Sequence, residues 1–220
     1  LVTTGVQNTL IGGLAGDSLT SGGSNVAVGY NALSTEDAHG GNTAIGASTL
    51  AALNAGANAF NTAVGYQSGL SLTTGTQNTF IGGRAGEDLL AASDNVAVGF
   101  EALSTETGGQ NNVAIGTRAL KAQVNSSGNI YNTAVGSNAG TAVTTGVQNT
   151  LVGGNAGDAI TDADANVAVG FGSLGSNTIG SKSVALGMEA LASQNPSSAT
   201  DMYNTAVGHD AGYAVTTGIR

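Results

Sequence analysis

A motif of five residues, Asn-(Thr/Val)-x-(Val/Ile/Leu)-Gly with x usually alanine, recurs along this 220-residue chain. A repeat at fixed period constrains a fold more than any local propensity does. The motif starts at Asn8, Asn25, Asn42, Asn61, Asn78, Asn95, Asn112, Asn132, Asn149, Asn166, Ser183 and Asn204, which makes twelve units. Successive starts lie 17 residues apart, except for intervals of 19, 20 and 21 where every third unit of four runs into the fourth. Like units therefore return after about 71 residues, and the chain reads as one array, 1–220, of three blocks: 8–77, 78–148 and 149–220. Residues 1–7, LVTTGVQ, match the tails SLTTGTQ, AVTTGVQ and AVTTGIR that follow the fourth units, so they read as the tail of a preceding unit. Both ends fall at one phase of the repeat, and residue 1 is leucine, so the expectation is a processed chain or a section of a longer array.

Each motif alternates in the strand period of two, carries β-branched residues and ends on glycine, which predicts a short strand closed by a turn. The glycine implies positive φ or a close backbone approach. Seventeen residues then suffice for one coil of a parallel β-solenoid, and twelve coils stack into a rod about 58 Å long. The second and fourth motif positions share one face and are expected to line the coil interior. The third is alanine in nine units of twelve, the exceptions being Leu10, Phe80 and Leu151, and its face is expected to be crowded by a neighbouring chain.

Numbering the motif asparagine as position 1, position 8 is always small, and position 9 is leucine in second and third units but glycine in first and fourth. The glycine units carry an apolar residue at position 12 instead (Leu19, Leu72, Leu89, Val143, Ile160, Val215), where second and third units are mostly polar and Leu53 is the exception. One extra large apolar side chain per coil, at one of two sites, keeps a core of fixed cross-section filled. The asparagine file is expected to hydrogen-bond from coil to coil, as stacked amides do. So thin a core calls for association with further copies.

Composition removes several classes of function. Charged residues are 9% of the chain, and the formal net charge of -9 has the wrong sign for nucleic acid or anionic lipid. Cysteine is absent, which excludes disulfide scaffolds and thiolate metal sites, and there is no apolar run long enough to span a membrane.

The stretches NVAVGYNALS, NVAIGTRAL and above all SVALGMEAL (183–191) resemble the head repeats of trimeric autotransporter adhesins of the YadA type, and also repeats in phage tail fibres and bacterial surface fibres. The resemblance spans all twelve units. It implies a left-handed parallel β-roll, a homotrimer, and an extracellular role in adhesion or fibre formation at a bacterial surface or on a virion. The coil is longer than the adhesin repeat, and no neck, stalk or anchor is present among the 220 residues, so adhesin head, tail-fibre shaft and filament remain open. The leading expectation is a non-enzymatic rod mediating attachment, its partners being itself and a host-surface protein or glycan. A filament whose matching ends stack is the alternative. A polysaccharide-processing tailspike or a hexapeptide acyltransferase comes third, since an enzyme would break the repeat at its site.

No residue is expected to be catalytic, to bind a cofactor or to ligate metal. The two histidines, His39 and His209, have no repeat-related partner in the sequence. GGLAGD, GGRAGE and GGNAGD have the wrong register for calcium-binding nonapeptides, so Asp17, Glu87 and Asp158 read as solvated turns. The TTG threonines are too sparse for an ice-binding lattice. Tyr30, Phe100 and Phe171 after the motif glycine of second units, and Phe60, Tyr131 and Tyr203 just before fourth units, are expected to pack. The long loops 51–60, 121–131 and 192–203 are expected to form a row of protrusions about 19 Å apart, suited to partner contact.

Overall fold

The computed structural model describes residues 2–219; Leu1, and Arg220 at the end of the last tail, lie outside the described residues. The described chain is all β, without helix, and forms a parallel β-solenoid of twelve coils. Each motif makes a three-residue strand, from Thr9–Ile11 to Thr205–Val207, and the strands stack in chain order into one twelve-stranded parallel sheet. Register is strict: Val26 lies opposite Thr43, Ala27 opposite Ala44 and Val28 opposite Ile45, so like positions stand on one another.

The sheet faces the opposite way from the sequence expectation. Position 3 is the interior one: Ala27, Ala44, Ala97 and Ala168 are fully buried, and so are Phe80 and Leu151. Positions 2 and 4 point outward and remain partly or largely exposed, as at Ile45 and Ile81. Strand period two separates two faces without saying which is inside, and here coil width decides. Alanine fits opposite the small residue at position 8 and the leucine at position 9, whereas two β-branched side chains per strand do not. The crowding at position 3 therefore comes from the coil's own core and not from a second chain.

Core packing also produces the four-coil cycle. Every coil passes through positive φ at position 9, either on glycine or on leucine, as at Leu33 (φ 50), Leu103 (φ 50) and Leu174 (φ 52). A left-handed leucine costs about 1–2 kcal/mol, and full burial of its side chain, worth about 1.5–3 kcal/mol, offsets that. Where position 3 is large, no side chain fits: a Cβ on Gly86 would lie 2.9 Å from Phe80 Cδ1. The preceding coil is constrained as well, since a Cβ on Gly69 would lie 2.8 Å from Leu50 Cδ2 and 3.0 Å from Phe80 Cδ2. Two leucine coils are thus followed by two glycine coils, and Leu72 and Leu89 at position 12 fill the space on the other side.

The asparagine file forms the expected ladder. Asn95 Oδ1 accepts from the Asn112 backbone N–H at 3.0 Å, and Asn95 Nδ2 donates to the Gly109 carbonyl at 3.0 Å. The same pair of bonds recurs at Asn78 (to Asn95 N–H, 3.1 Å, and Ala92 O, 2.9 Å) and at Asn149 (to Asn166 N–H, 3.0 Å, and Ala163 O, 2.8 Å). These amides are buried, so each lost bond strands a polar group out of water. Asn95→Ala is expected to cost about 2–4 kcal/mol, read as a lowered urea midpoint, with hydrogen-exchange protection lost first in the coils on either side.

Candidate functional site: the outward face of the sheet

The outward side chains of positions 2 and 4 form two files of Thr/Val and Val/Ile/Leu that run the length of the sheet without one charged residue. The strip is about 10 Å wide and about 58 Å long. That footprint is roughly 600 Å², uncharged throughout and apolar apart from the hydroxyls of the threonines that hold position 2 in seven of the twelve coils. β-Branched side chains on a pleated sheet are stiff at χ1, so little rotamer freedom is lost when they are covered.

Each strand ends on a glycine that permits close coil stacking. Gly82 has φ +131, and a Cβ there would lie 2.6 Å from the Gly99 carbonyl oxygen. Immediately beyond, at position 6, stand Tyr30, Phe100 and Phe171. Their rings lie over the equivalent glycine of the coil before, 3.6 Å from a Cβ placed on Gly13, 3.5 Å from one on Gly83 and 3.3 Å from one on Gly154. They remain about half exposed, so the expected packing is only one-sided.

On the opposite edge, just before the strand, Phe60, Tyr131 and Tyr203 also stand half exposed, all three at positive φ. Phe60 covers Gly41. Around the others are small polar clusters: Asn129 Nδ2 donates to Tyr131 Oη at 2.9 Å, and Lys182 Nζ lies 2.6 Å from Asp201 Oδ2 and 5.5 Å from the Tyr203 ring centre. The hydrogen bond from Lys182 holds the Asp201 carboxyl below its usual range, and Asp201 raises Lys182 in turn.

The long loops are tied down near their ends while their middles, 56–58, 126–129 and 197–199, stand exposed. Gly128–Asn129 pairs with Gly109–Gln110, Thr200–Asp201 pairs with Gly180–Ser181, and Ala59, Ile130 and Met202 are buried beneath.

The acids of the GGxAG turns are peripheral to this face. Asp17 is exposed, while partial burial pushes the Glu87 and Asp158 carboxyls up, with Arg84 opposing the shift at Glu87. Glu101 sits among Arg84, Arg118 and Lys121, and its hydrogen bonds to Lys121 and Arg118 hold its carboxyl down.

The polar residues at position 12 were not distinguishable in the sequence from surface residues, yet they are fully buried. Glu106 Oε1 accepts backbone N–H bonds from Thr107 (2.8 Å), Gly108 (3.0 Å), Gly109 (2.9 Å) and Asn125 (2.9 Å), while Oε2 accepts from Gln123 Nε2 at 2.7 Å. Glu36, its counterpart one block earlier, accepts from the His39 backbone at 3.1 Å and from Ala55 N–H at 3.4 Å, with His39 Nδ1 at 3.0 Å. Glu36, Asp37 and His39 could bring ligand atoms within 4.8 Å of one another. The backbone donors three and nineteen residues on recur at Glu106, where no such cluster exists among the described residues, so turn closure accounts for the bonds Glu36 makes to the chain. His209 lies 3.0 Å from Asp210 on the exposed surface. Among the described residues the surface has no cleft that would enclose a small molecule, and no helix is long and apolar enough to cross a membrane.

The fold and this face define an all-β repeat protein, a β-solenoid. Comparison with protein-family models, curated proteins and solved structures returns no match. Replacing Glu106 by alanine strands several backbone donors and is expected to cost more than about 3 kcal/mol. Glu106→Gln keeps one acceptor oxygen and is expected to cost less than half as much, both read from urea unfolding.

Proposed function

We propose that this chain is a non-enzymatic structural and adhesive rod, whose copies join through the outward β-branched face to form part of an extracellular fibre, an adhesin head or a phage-type tail fibre. The observation that carries the proposal is the uncharged strip of Thr, Val, Ile and Leu side chains along all twelve coils. A solenoid with its own closed core has no internal need for such a strip, and covering it removes roughly 600 Å² per chain from water, near the 800 Å² per partner of a standard interface before the flanking edges are added. The number three comes from the likeness to adhesin heads. Three strands placed around an axis would bring six Thr, Val, Ile or Leu side chains toward the centre of each level. The repeat runs through all twelve coils without a break at any one site, which favours a rod over an enzyme. Attachment to a surface protein or glycan would use the sides of the rod that remain outside.

Light scattering across a concentration series tests the association. The wild-type chain is expected to hold the mass of three copies, and the double variant Val98→Glu, Val135→Glu to fall to one copy while keeping its strand content by circular dichroism. A wild-type mass of one chain throughout would overturn the proposal, and a mass that grows with concentration would favour end-to-end stacking.

A further inference from the structure

Position 12 of the second unit holds a buried polar side chain in each of the three blocks, Glu36, Glu106 and Asn177, but what faces it differs. In the second and third blocks the following coil brings a buried glutamine to the same position: Gln123 Nε2 donates to Glu106 Oε2 at 2.7 Å, and Gln194 Nε2 lies 3.5 Å from Asn177 Oδ1. The first block has Leu53 there, which has nothing to donate. Three residues after position 12, where the other blocks have Gly109 and Gly180, the first block has His39. Glu36 is therefore a fully buried carboxylate with two backbone donors, the N–H of His39 at 3.1 Å and that of Ala55 at 3.4 Å. Glu106 has four backbone donors and the glutamine as well.

A buried carboxylate short of donors needs positive charge beside it. Among the described residues no lysine or arginine stands within ion-pair distance of Glu36; the group that does is His39, its Nδ1 3.0 Å from Glu36 Oε1. Asp37 adds a second carboxyl, exposed and without a hydrogen bond among the described residues. One ligand atom from each of the three residues falls within 4.8 Å of the other two. An imidazolium answers Glu36 with one charge and leaves Asp37 unanswered, whereas a divalent cation neutralises both carboxylates and takes the neutral imidazole as a third ligand. Two carboxylate oxygens with one imidazole nitrogen suit zinc and its first-row neighbours; calcium and magnesium take oxygen ligands throughout. We infer that Glu36, Asp37 and His39 form a binding site for a divalent metal ion of the zinc type, held at the turn of coil 2 by three protein ligands with solvent completing the shell. The loop 51–60 is already tied to this turn, through the Ala55 N–H on Glu36 and through Asn58 Oδ1, which accepts from the Gly40 N–H at 2.9 Å, so a bound ion fixes that loop onto coil 2. The site uses none of the outward strand positions and is independent of how copies of the chain associate.

Titration calorimetry of the purified, chelator-washed chain with zinc chloride tests the site. The wild-type chain is expected to take up one ion per chain in its tightest step. Asp37→Ala removes a ligand without removing any bond within the described chain, and is expected to weaken that step at least about 10-fold, the loss that follows even when an outer partner of a metal ligand is removed. His39→Ala is expected to do the same, and the Asp37 variant decides if loss of His39 loosens the turn. His209→Ala, which removes the other histidine and its 3.0 Å contact with Asp210, leaves uptake unchanged. Hydrogen exchange reports the place: zinc is expected to slow exchange at residues 36–40 and 54–59. Uptake as tight in Asp37→Ala as in the wild type, uptake lost in His209→Ala, slowed exchange only elsewhere, or no uptake would each overturn the inference.

Discussion

The interior of one coil has room for few large side chains, and most of the structure follows from that limit. It sends the side chains of positions 2 and 4 outward, a β-branched pair in every strand but that of Leu186, and gives the inward position to alanine in nine coils of twelve. It makes a large residue at position 3 incompatible with leucine at position 9 on its own coil and on the coil before it. The result is a packing cycle of four coils, with Leu103 and Leu120 followed by Gly140 and Gly157 and with Leu151 set between the latter two. Core packing and outer surface are coupled in this way: a coil too narrow to bury its own β-branched residues presents an apolar strip that only another surface can cover.

Polar groups inside so narrow a coil lie out of reach of water and must be answered by the next coil. The asparagine ladder does this on the strand side, and the buried Glu36, Glu106, Gln123, Asn177 and Gln194 do it at the turns. The two systems touch, since Asn132 Nδ2 donates to Gln123 Oε1 at 2.9 Å. Each coil is completed by the one after it, which makes stability a property of neighbouring coils and not of any single unit.

What the sequence made legible was what repeats in residue type. The strands, the glycine after each, the asparagine ladder and the exchange between positions 9 and 12 all recur as side chains and were placed correctly. Facing was not legible, because alternation looks the same from either side of a strand and Ala97 could be read as the surface residue as easily as Val98. Nor were the left-handed residues at positions 0 and 7, where Tyr131 and Ala165, or Arg84 and Glu101, share a backbone state and no common side chain. Glu106 looked like a surface acid because four of its five donors are backbone N–H groups, which leave no mark in the sequence. The aromatic residues showed their period, but their place on the two edges of the outward face was legible only once that face was known.

Small-angle X-ray scattering from the purified chain tests the central claim, that the outward face joins copies side by side. It gives the length of the particle and its mass per length together. The account predicts a rod about 58 Å long whose mass per length is that of several chains abreast. A rod of the same length with the mass per length of one solenoid, its β-branched face in water, would contradict it.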